Sequence, residues 1–247
     1  MPAPRLQRAG GVQVGPESAD IETFDGDRPL RPIPPVRSEI APVPRRLPAL
    51  ATALALAAAC GGVQSASVSV SVSDQAGRPL HDAVVLLEPA TGKLPVAPLA
   101  GVQIVQVKRQ FAPQVSVVTV GTPVSFPNDD TVRHHVYSFS PVKTFELKLY
   151  AGVPNTPVVF DKPGIAVLGC NIHDQMVAWV VVVDTPLYAR SAASGKARIE
   201  GVPPGNYQLR VWHSALAEGA PPTSSPLAVG STDLEQRAAL NLVGPGR

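Results

Sequence analysis

The chain is short of sulfur, with two cysteines and two methionines in 247 residues. Cys60 ends an apolar segment that is typical of a cleaved export signal, so Cys170 is the only cysteine of the expected mature protein. One thiol cannot close an internal disulfide, which excludes a disulfide-stabilised scaffold. A lone thiol in an oxidising compartment is also an oxidation liability, and we therefore expect it to have a use.

Other absences narrow the function classes. The net charge is +2 and no Lys/Arg-rich run occurs, which argues against nucleic acid as a partner. No Ser/His/Asp arrangement, phosphate-binding glycine loop or pair of catalytic carboxylates stands out, so we expect the protein not to be an enzyme. The longest apolar segment is shorter than the roughly 20 residues that a membrane span requires, and no span is predicted.

The first part of the chain carries targeting information. Residues 1–44 are proline-rich without hydrophobic periodicity, which predicts disorder or a start codon assigned too far upstream. Arg45-Arg46 and the apolar run after them predict a signal peptide over residues 45–66 and an exported, periplasmic protein. The alternative is a lipid anchor at Cys60, although Ala57 stands where a lipobox usually has leucine.

One short motif carries most of the chemistry. Cys170, His173 and Met176 follow a Cys-x-x-His-x-x-Met spacing, and His134-His135 lies upstream after a strand-like run. Each residue alone would usually be structural. Together, a thiolate, a thioether and imidazoles form the ligand set of a mononuclear blue-copper site, whereas structural zinc sites have no thioether. Binuclear copper centres need two cysteines. The motif therefore predicts one type 1 copper per chain.

Residues 102–184 resemble the cupredoxins, the plastocyanin and amicyanin type of blue copper protein. The short ligand loop carries the resemblance, together with the strand and Asn-x-Asp turn at Val120–Asp130. The triplet His134-His135-Val136 also stands where the family has His-Asn-Val. The same blocks are similar to bacterial proteins labelled methylamine utilization protein. Leu168 and Asn171 depart from the family's usual aromatic and Ser/Thr residues.

The resemblance implies a ligand set and a function. It assigns the copper ligands to His134, Cys170, His173 and Met176, and gives His135 the place of an asparagine that ties the ligand loops together. The swapped assignment, with His135 as the ligand, stays open. The implied function is a periplasmic carrier of single electrons between redox partner proteins. The alternative is a scaffold or copper-delivery module on the same fold, with or without copper.

The fold prediction is all-β throughout the mature chain. Strict Ser/Val alternation over residues 67–73 predicts a strand with one buried face. We expect a Greek-key cupredoxin sandwich at 102–184. Segments 67–101 and 185–215 resemble the two parts of a transthyretin-like or carboxypeptidase-regulatory-like sandwich. Residues 216–247 are rich in proline and serine and are predicted to be a flexible tail.

Overall fold

The computed structural model describes residues 65–154, 156–217 and 219–243, all within one compact unit that spans Ala57–Arg247. Within these ranges it contains strands and no helix, so the all-β prediction is confirmed. No described helix could therefore cross a membrane. The predicted leader and most of the predicted signal segment lie outside the described residues.

The strands are numbered in chain order. The first nine are β1 (Ala66–Asp74), β2 (Val84–Pro89), β3 (Val102–Gln103), β4 (Val105–Val107), β5 (Gln110–Ala112), β6 (Val115–Thr119), β7 (Thr122–Ser125), β8 (His134–Ser140) and β9 (Lys143–Tyr150). The remaining eight are β10 (Val158–Phe160), β11 (Gly164–Gly169), β12 (Val177–Val183), β13 (Tyr188–Arg190), β14 (Lys196–Val202), β15 (Gly205–Trp212), β16 (Thr223–Val229) and β17 (Leu234–Leu240).

Two sheets, here called the central sheets, are built from the middle of the chain. Their strand orders are β10-β7-β3 and β6-β12-β11-β8-β9, with the β4–β5 hairpin beside them. Their inward side chains share one apolar cluster that includes Ile104, Phe126, Phe160 and Leu168, all at most 1% exposed. Burial of these side chains between two layers is what holds such sheets together. This cluster also contains Cys170, so the predicted site lies at the edge of a packed core.

The flanking sheets use residues from both sides of the central segment. Their strand orders are β14-β1-β17 and β13-β2-β15-β16, and they share a second apolar cluster. The Ser/Val alternation of β1 works as predicted, because Val68, Val70 and Val72 are at most 1% exposed. Strand β1 begins at Ala66, one residue before the predicted start. The likeness of this part to a transthyretin or carboxypeptidase-regulatory sandwich stays a prediction.

The predicted flexible tail at 216–247 is wrong over two strands. β16 is an edge strand paired with β15, and an edge position tolerates Pro226, which has no N–H to donate. β17 runs parallel to β1, and its last residue, Leu240, is fully buried. The segment looks polar in sequence because only one face of each strand is buried. Its order comes from pairing with strands far away in the chain.

The central and flanking sheets pack on one another through their outer faces. Val181 and Val183 on β12 join Val84 and Leu86 on β2 in a third apolar cluster, which Trp212 completes. The alternate residues of β12, including Val180, face the central core instead. Strand β12 is therefore covered on both faces, which fits its nearly continuous apolar sequence.

Candidate metal centre

Three predicted ligands converge from two parts of the central sheets. His134 is the first residue of β8, Cys170 directly follows β11, and His173 lies in the tight connection that leads to β12. The connection is closed by a 2.9 Å hydrogen bond in which the Met176 amide donates to the His173 carbonyl. β8 and β11 are neighbours in one sheet, so their ends bring the two parts of the motif together.

The donor atoms have the spacing of a metal site. Nδ1 of His134 and Nδ1 of His173 each lie 3.8 Å from Sγ of Cys170. One donor atom from each residue lies within 4.8 Å of the others. Metal–sulfur and metal–nitrogen bonds of roughly 2.3 and 2.05 Å at an angle of about 120° separate the two donors by about 3.8 Å. The two sulfur–nitrogen spacings therefore fit a single ion bound by all three residues.

Burial of the site is uneven. His134 is fully buried and Cys170 is 3% exposed, whereas His173 is only half-buried. The two imidazole rings meet edge to face with centroids 5.0 Å apart. A metal bound here would be shielded from water on the His134 side and would reach the surface through the His173 ring.

Met176, the fourth predicted ligand, is buried. It is 1% exposed, it directly precedes β12, and it belongs to the same apolar cluster as Cys170. A long, weak axial bond is the usual place of a thioether in a blue-copper site. The axial role of Met176 stays a prediction.

The two adjacent histidines point to different neighbours. The pairing of β8 with β9 is irregular between His134 and Val136, which changes the direction of the side chains there. His134 faces Cys170, while His135 Nε2 lies 3.0 Å from Glu146 Oε1 without the alignment of a hydrogen bond. The structure therefore places His134, and not His135, among the donors.

Asp130 is a site residue for which the sequence analysis gave no role. Its Oδ2 lies 2.7 Å from His134 Nε2 and accepts the amide of Arg109 at 2.9 Å, and its Oδ1 accepts the amide of Lys108 at 2.6 Å. Burial opposes ionisation of this carboxyl, but the Arg109 amide, the His134 ring and the Lys108 amide outweigh it and lower the pKa of Asp130. An ionised Asp130 accepts the Nε2 proton of His134 and leaves Nδ1 free to bind a metal.

An unusual turn supplies these two amides. Lys108 and Arg109 connect β4 to β5 with φ values of 53° and 57°, although neither is glycine. Consecutive residues of positive φ form the tight hairpin turn that matches the twist of two strands, usually with Asn or Gly. Two hydrogen bonds to one carboxylate help to hold this conformation. In the sequence, Asp130 is marked only as the end of the Asn128-x-Asp130 turn. That pattern does not reveal that the β4–β5 hairpin packs against the turn.

Asn128, and not His135, ties the loops near the site. Its Nδ2 donates to the carbonyls of Val132 at 2.9 Å and Tyr150 at 2.8 Å, and its Oδ1 accepts the Asp130 amide at 3.0 Å. The expected loop-tying role of His135 is therefore filled by a residue on the other side of the turn. Asn128 is 4% exposed, so these bonds also satisfy a buried amide.

A partly buried tyrosine, Tyr150, contacts the same loops. Tyr150 donates to the carbonyl of Phe126 at 2.6 Å, and Gln106 Nε2 donates to that carbonyl at 3.1 Å. Burial raises the pKa of Tyr150 to about 12, against a smaller opposing effect of its contact with Gln106. Tyr150 pairs with His134 across β8 and β9, so it fixes the strand on which the buried histidine lies.

The loops around the site expose aliphatic side chains. Ile172, next to His173, is 48% exposed, and Val132 and Val153 are 37% and 64% exposed. Asn128 connects the loops that carry Val132 and Val153. Its side chain donates to the Val132 carbonyl, and its backbone pairs with that of Gly152. Ile172 thus places an exposed aliphatic side chain next to His173 in the chain.

No protein-family model and no curated protein matches the chain. Among solved structures, it is similar to a novel purple cupredoxin from Nitrosopumilus maritimus, with 23% identity over 33% of this chain and 99% of that chain at a TM-score of 0.30. A copper-containing nitrite reductase (NirK) from Thermus scotoductus SA-01 matches with 27% identity over 39% of this chain and 25% of that chain at a TM-score of 0.32. An oxidized mutant of amicyanin matches with 18% identity over 41% of this chain and 99% of that chain at a TM-score of 0.32. TM-scores of this size do not assign the chain to a family.

Proposed function

We propose that the protein is a type 1 copper protein of the cupredoxin kind that carries single electrons between redox partners. The observation that carries this proposal is the placement of two imidazole Nδ1 atoms, each 3.8 Å from one buried thiol sulfur. Met176 is buried in the same cluster as that thiol. A set of one thiolate, two imidazoles and a thioether is soft and selects copper over magnesium or calcium.

The residues around the site suit a one-electron carrier. Bound copper would supply the Cu(I)/Cu(II) couple, and four protein ligands would leave no open position for a substrate. Asp130 holds the His134 ring in one orientation, and the closed Cys170–Met176 connection carries the other three proposed ligands. A site that is pre-set in this way rearranges little between oxidation states. His173, half-buried beside the exposed Ile172, is the proposed exit for the electron.

We place the protein in the periplasm as part of the same proposal. The support is the Arg45-Arg46 pair followed by the apolar segment, which resembles an export signal. Its partners are redox proteins that dock at the aliphatic surface near His173. The resemblance to proteins labelled methylamine utilization protein suggests a setting but identifies no partner.

Titration with Cu(II) tests the proposal. The mature protein should bind one copper per chain and turn intensely blue, because a thiolate-to-copper charge-transfer band requires Cys170 as a ligand. Cys170→Ser should remove the colour and preserve the β-sheet circular dichroism. The matched control is His81→Ala, which changes an exposed histidine outside the site and should leave the colour intact. A Cys170→Ser protein that stays blue would refute the assignment.

A colourless copper complex would favour the second function, a delivery or scaffold module. Copper held without a thiolate band would mean that the donors do not form a type 1 site. Electron paramagnetic resonance separates the two results, since a thiolate-bound type 1 copper and an ordinary nitrogen-ligated copper give different hyperfine splittings.

A further inference from the structure

A tyrosine ring lies across the peptide that leads into the thiol. Gly169 is the last residue of β11, and Cys170 directly follows it. A Cβ atom on Gly169 would lie 2.7 Å from both Cζ and the hydroxyl oxygen of Tyr137, which is closer than real Cβ atoms approach other heavy atoms. Gly169 is not among the glycines of positive φ. Glycine is therefore required here for space and not for an unusual backbone conformation.

The ring and the sulfur lie on opposite faces of the same strand. Side chains alternate between the two faces of a strand, and Leu168 and Cys170 both belong to the inner apolar cluster. A side chain on Gly169 would therefore point to the outer face, where the Tyr137 ring lies. The ring thus covers the peptide from outside, while the sulfur on the inner face lies 3.8 Å from each imidazole nitrogen.

The ring belongs to the residue that pairs with this glycine. Gly169 pairs with Tyr137 on β8 and with Val177 on β12, and it is the last residue of β11 in both ladders. An aromatic side chain that covers the glycine opposite to it is a known way of stabilising such a pair. Because strand pairing stops one residue before Cys170, the position of the thiol depends on how firmly this last pair is held.

Neighbouring rings restrain Tyr137. The His135 ring meets it edge to face with centroids 5.8 Å apart, and the Phe139 ring lies 5.1 Å away at an angle of 35°. His135 is only 9% exposed, whereas Phe139 is 74% exposed. A movement of the Tyr137 ring away from Gly169 would disturb these contacts, and closely packed groups yield little. The ring is therefore a rigid support for the peptide beneath it.

We propose that Tyr137 is a positioning residue for the copper ligand Cys170, with its ring packed as a steric support behind the Gly169 peptide. This role rests on the proposed copper function, because it is exerted on the thiolate that would bind the metal. Without the ring, the peptide would relax outwards and carry the sulfur away from the imidazoles. A weaker copper–sulfur bond would lower both the copper affinity and the thiolate-to-copper absorption.

Removal of the ring tests the proposal with copper bound. Tyr137→Ala should lower the Cu(II) affinity by about tenfold and weaken the blue absorption. Tyr137→Phe keeps the ring and should stay within about twofold of the wild-type affinity. The matched control is Phe139→Ala, which removes the next ring on the same face of β8 and should change neither the affinity nor the absorption.

The copper-free protein gives an independent measurement. Cys170 is 3% exposed, so its reaction with iodoacetamide requires local opening of the chain around it. Tyr137→Ala should raise the rate of this alkylation by at least about fivefold, because the end of β11 loses its support. Tyr137→Phe and Phe139→Ala should leave the rate near that of the wild type.

A double-mutant cycle tests the match between the ring and the glycine. Gly169→Ala places a methyl group against the ring and should lower the Cu(II) affinity by about tenfold. In the Tyr137→Ala background the same change should cost less than about threefold, because the space is then free. Gly205→Ala is the matched control, since a Cβ on Gly205 would lie at an ordinary 3.5 Å from the Tyr207 ring in the flanking sheets.

Equal losses of affinity from Gly169→Ala in the two backgrounds would overturn the proposal. It would also be overturned by a Tyr137→Phe protein that behaves like Tyr137→Ala, or by a Tyr137→Ala protein with wild-type affinity and alkylation rate. If Tyr137→Ala does not fold, as judged by circular dichroism, Gly169→Ala and Gly205→Ala decide, and equal affinities would refute the role of the ring. If the wild type binds no copper, the proposed function fails, whereas the alkylation rates still test the support of the strand end.

Discussion

His134 and Asp130 are joined by a 2.7 Å contact between Nε2 and Oδ2, on the side of the ring opposite to Cys170. The carboxylate fixes both the orientation of the ring and the position of its proton. It is in turn held by the amides of Lys108 and Arg109. The buried His134 is therefore positioned by a hairpin that contributes no donor atom of its own to the candidate site.

The first prediction concerns that contact. Asp130→Asn keeps an acceptor near His134 but removes the negative charge, so the imidazole becomes a weaker donor. Copper affinity should fall by about 10–100-fold. The reduction potential should rise, because a weaker imidazole donor destabilises bound Cu(II) more than bound Cu(I). Competition with a chelator and cyclic voltammetry measure the two effects. Asp129→Asn changes an exposed neighbouring carboxylate and should alter neither the affinity nor the potential. If its effects equalled those of Asp130→Asn, the negative charge of the turn would matter and not the contact with His134.

The second prediction separates the adjacent histidines. His134→Ala should abolish the blue absorption, because it removes a donor 3.8 Å from the thiol. His135→Ala should keep the absorption and lower stability by roughly 1 kcal/mol, since its ring packs edge to face on Tyr137 at 5.8 Å. Visible spectra and thermal melts measure both. A colourless His135→Ala and a blue His134→Ala would show that the register of β8 is shifted by one residue.

The third prediction compares two glycines with the same backbone conformation. Gly92 and Gly195 both have φ of 74°, but a Cβ on Gly92 meets nothing within 4 Å, whereas one on Gly195 would lie 2.5 Å from the Val72 carbonyl oxygen. Gly92→Ala should cost about 1 kcal/mol of unfolding free energy, from conformation alone. Gly195→Ala should cost roughly 2–4 kcal/mol, because strain and overlap with backbone add. Urea unfolding measures both, and equal losses would contradict the predicted overlap.

The fourth prediction tests whether the end of the described chain is part of the core. Leu240 on β17 is fully buried, so Leu240→Ala should lower the free energy of unfolding by about 2–5 kcal/mol. Val243, three residues later, is 71% exposed, and Val243→Ala should change stability by less than about 0.5 kcal/mol. If Leu240→Ala changed the free energy of unfolding as little as Val243→Ala, the segment would be the flexible tail that the composition predicted.

The fifth prediction concerns alkaline pH. The pKa of Tyr150 is raised by burial from 10.0 to about 12. A phenol whose pKa is higher in the folded than in the unfolded state stabilises the fold fully below pH 10, and this contribution disappears as the pH rises through 12. The free energy of unfolding should therefore fall between pH 10 and 12. Tyr150→Phe should flatten this fall more than Tyr188→Phe, and an unchanged slope would rule out the burial effect.

The sequence by itself determined the local features of this protein. The Cys-x-x-His-x-x-Met spacing places three candidate ligands in one short connection, and the period-two pattern of β1 fixes which of its side chains are buried. These features depend on neighbours within a few residues, so the sequence is enough to read them. The all-β class follows from the same alternation and from the proline and glycine residues between the strands.

Only the tertiary structure decided how distant segments complete these features. The resemblance assigned His134 and left the swap with His135 open, while the side-chain direction that turns His134 towards Cys170 depends on an irregular pairing with β9. The contact of Asp130 with His134 depends on a hairpin packed against its turn. Strand β17 is ordered by β1, from the other end of the described chain. Pairing and burial across such separations arise from long-range contacts that no local pattern encodes. For that reason the ligand motif could be predicted from the sequence, while the residues that hold it in place could not.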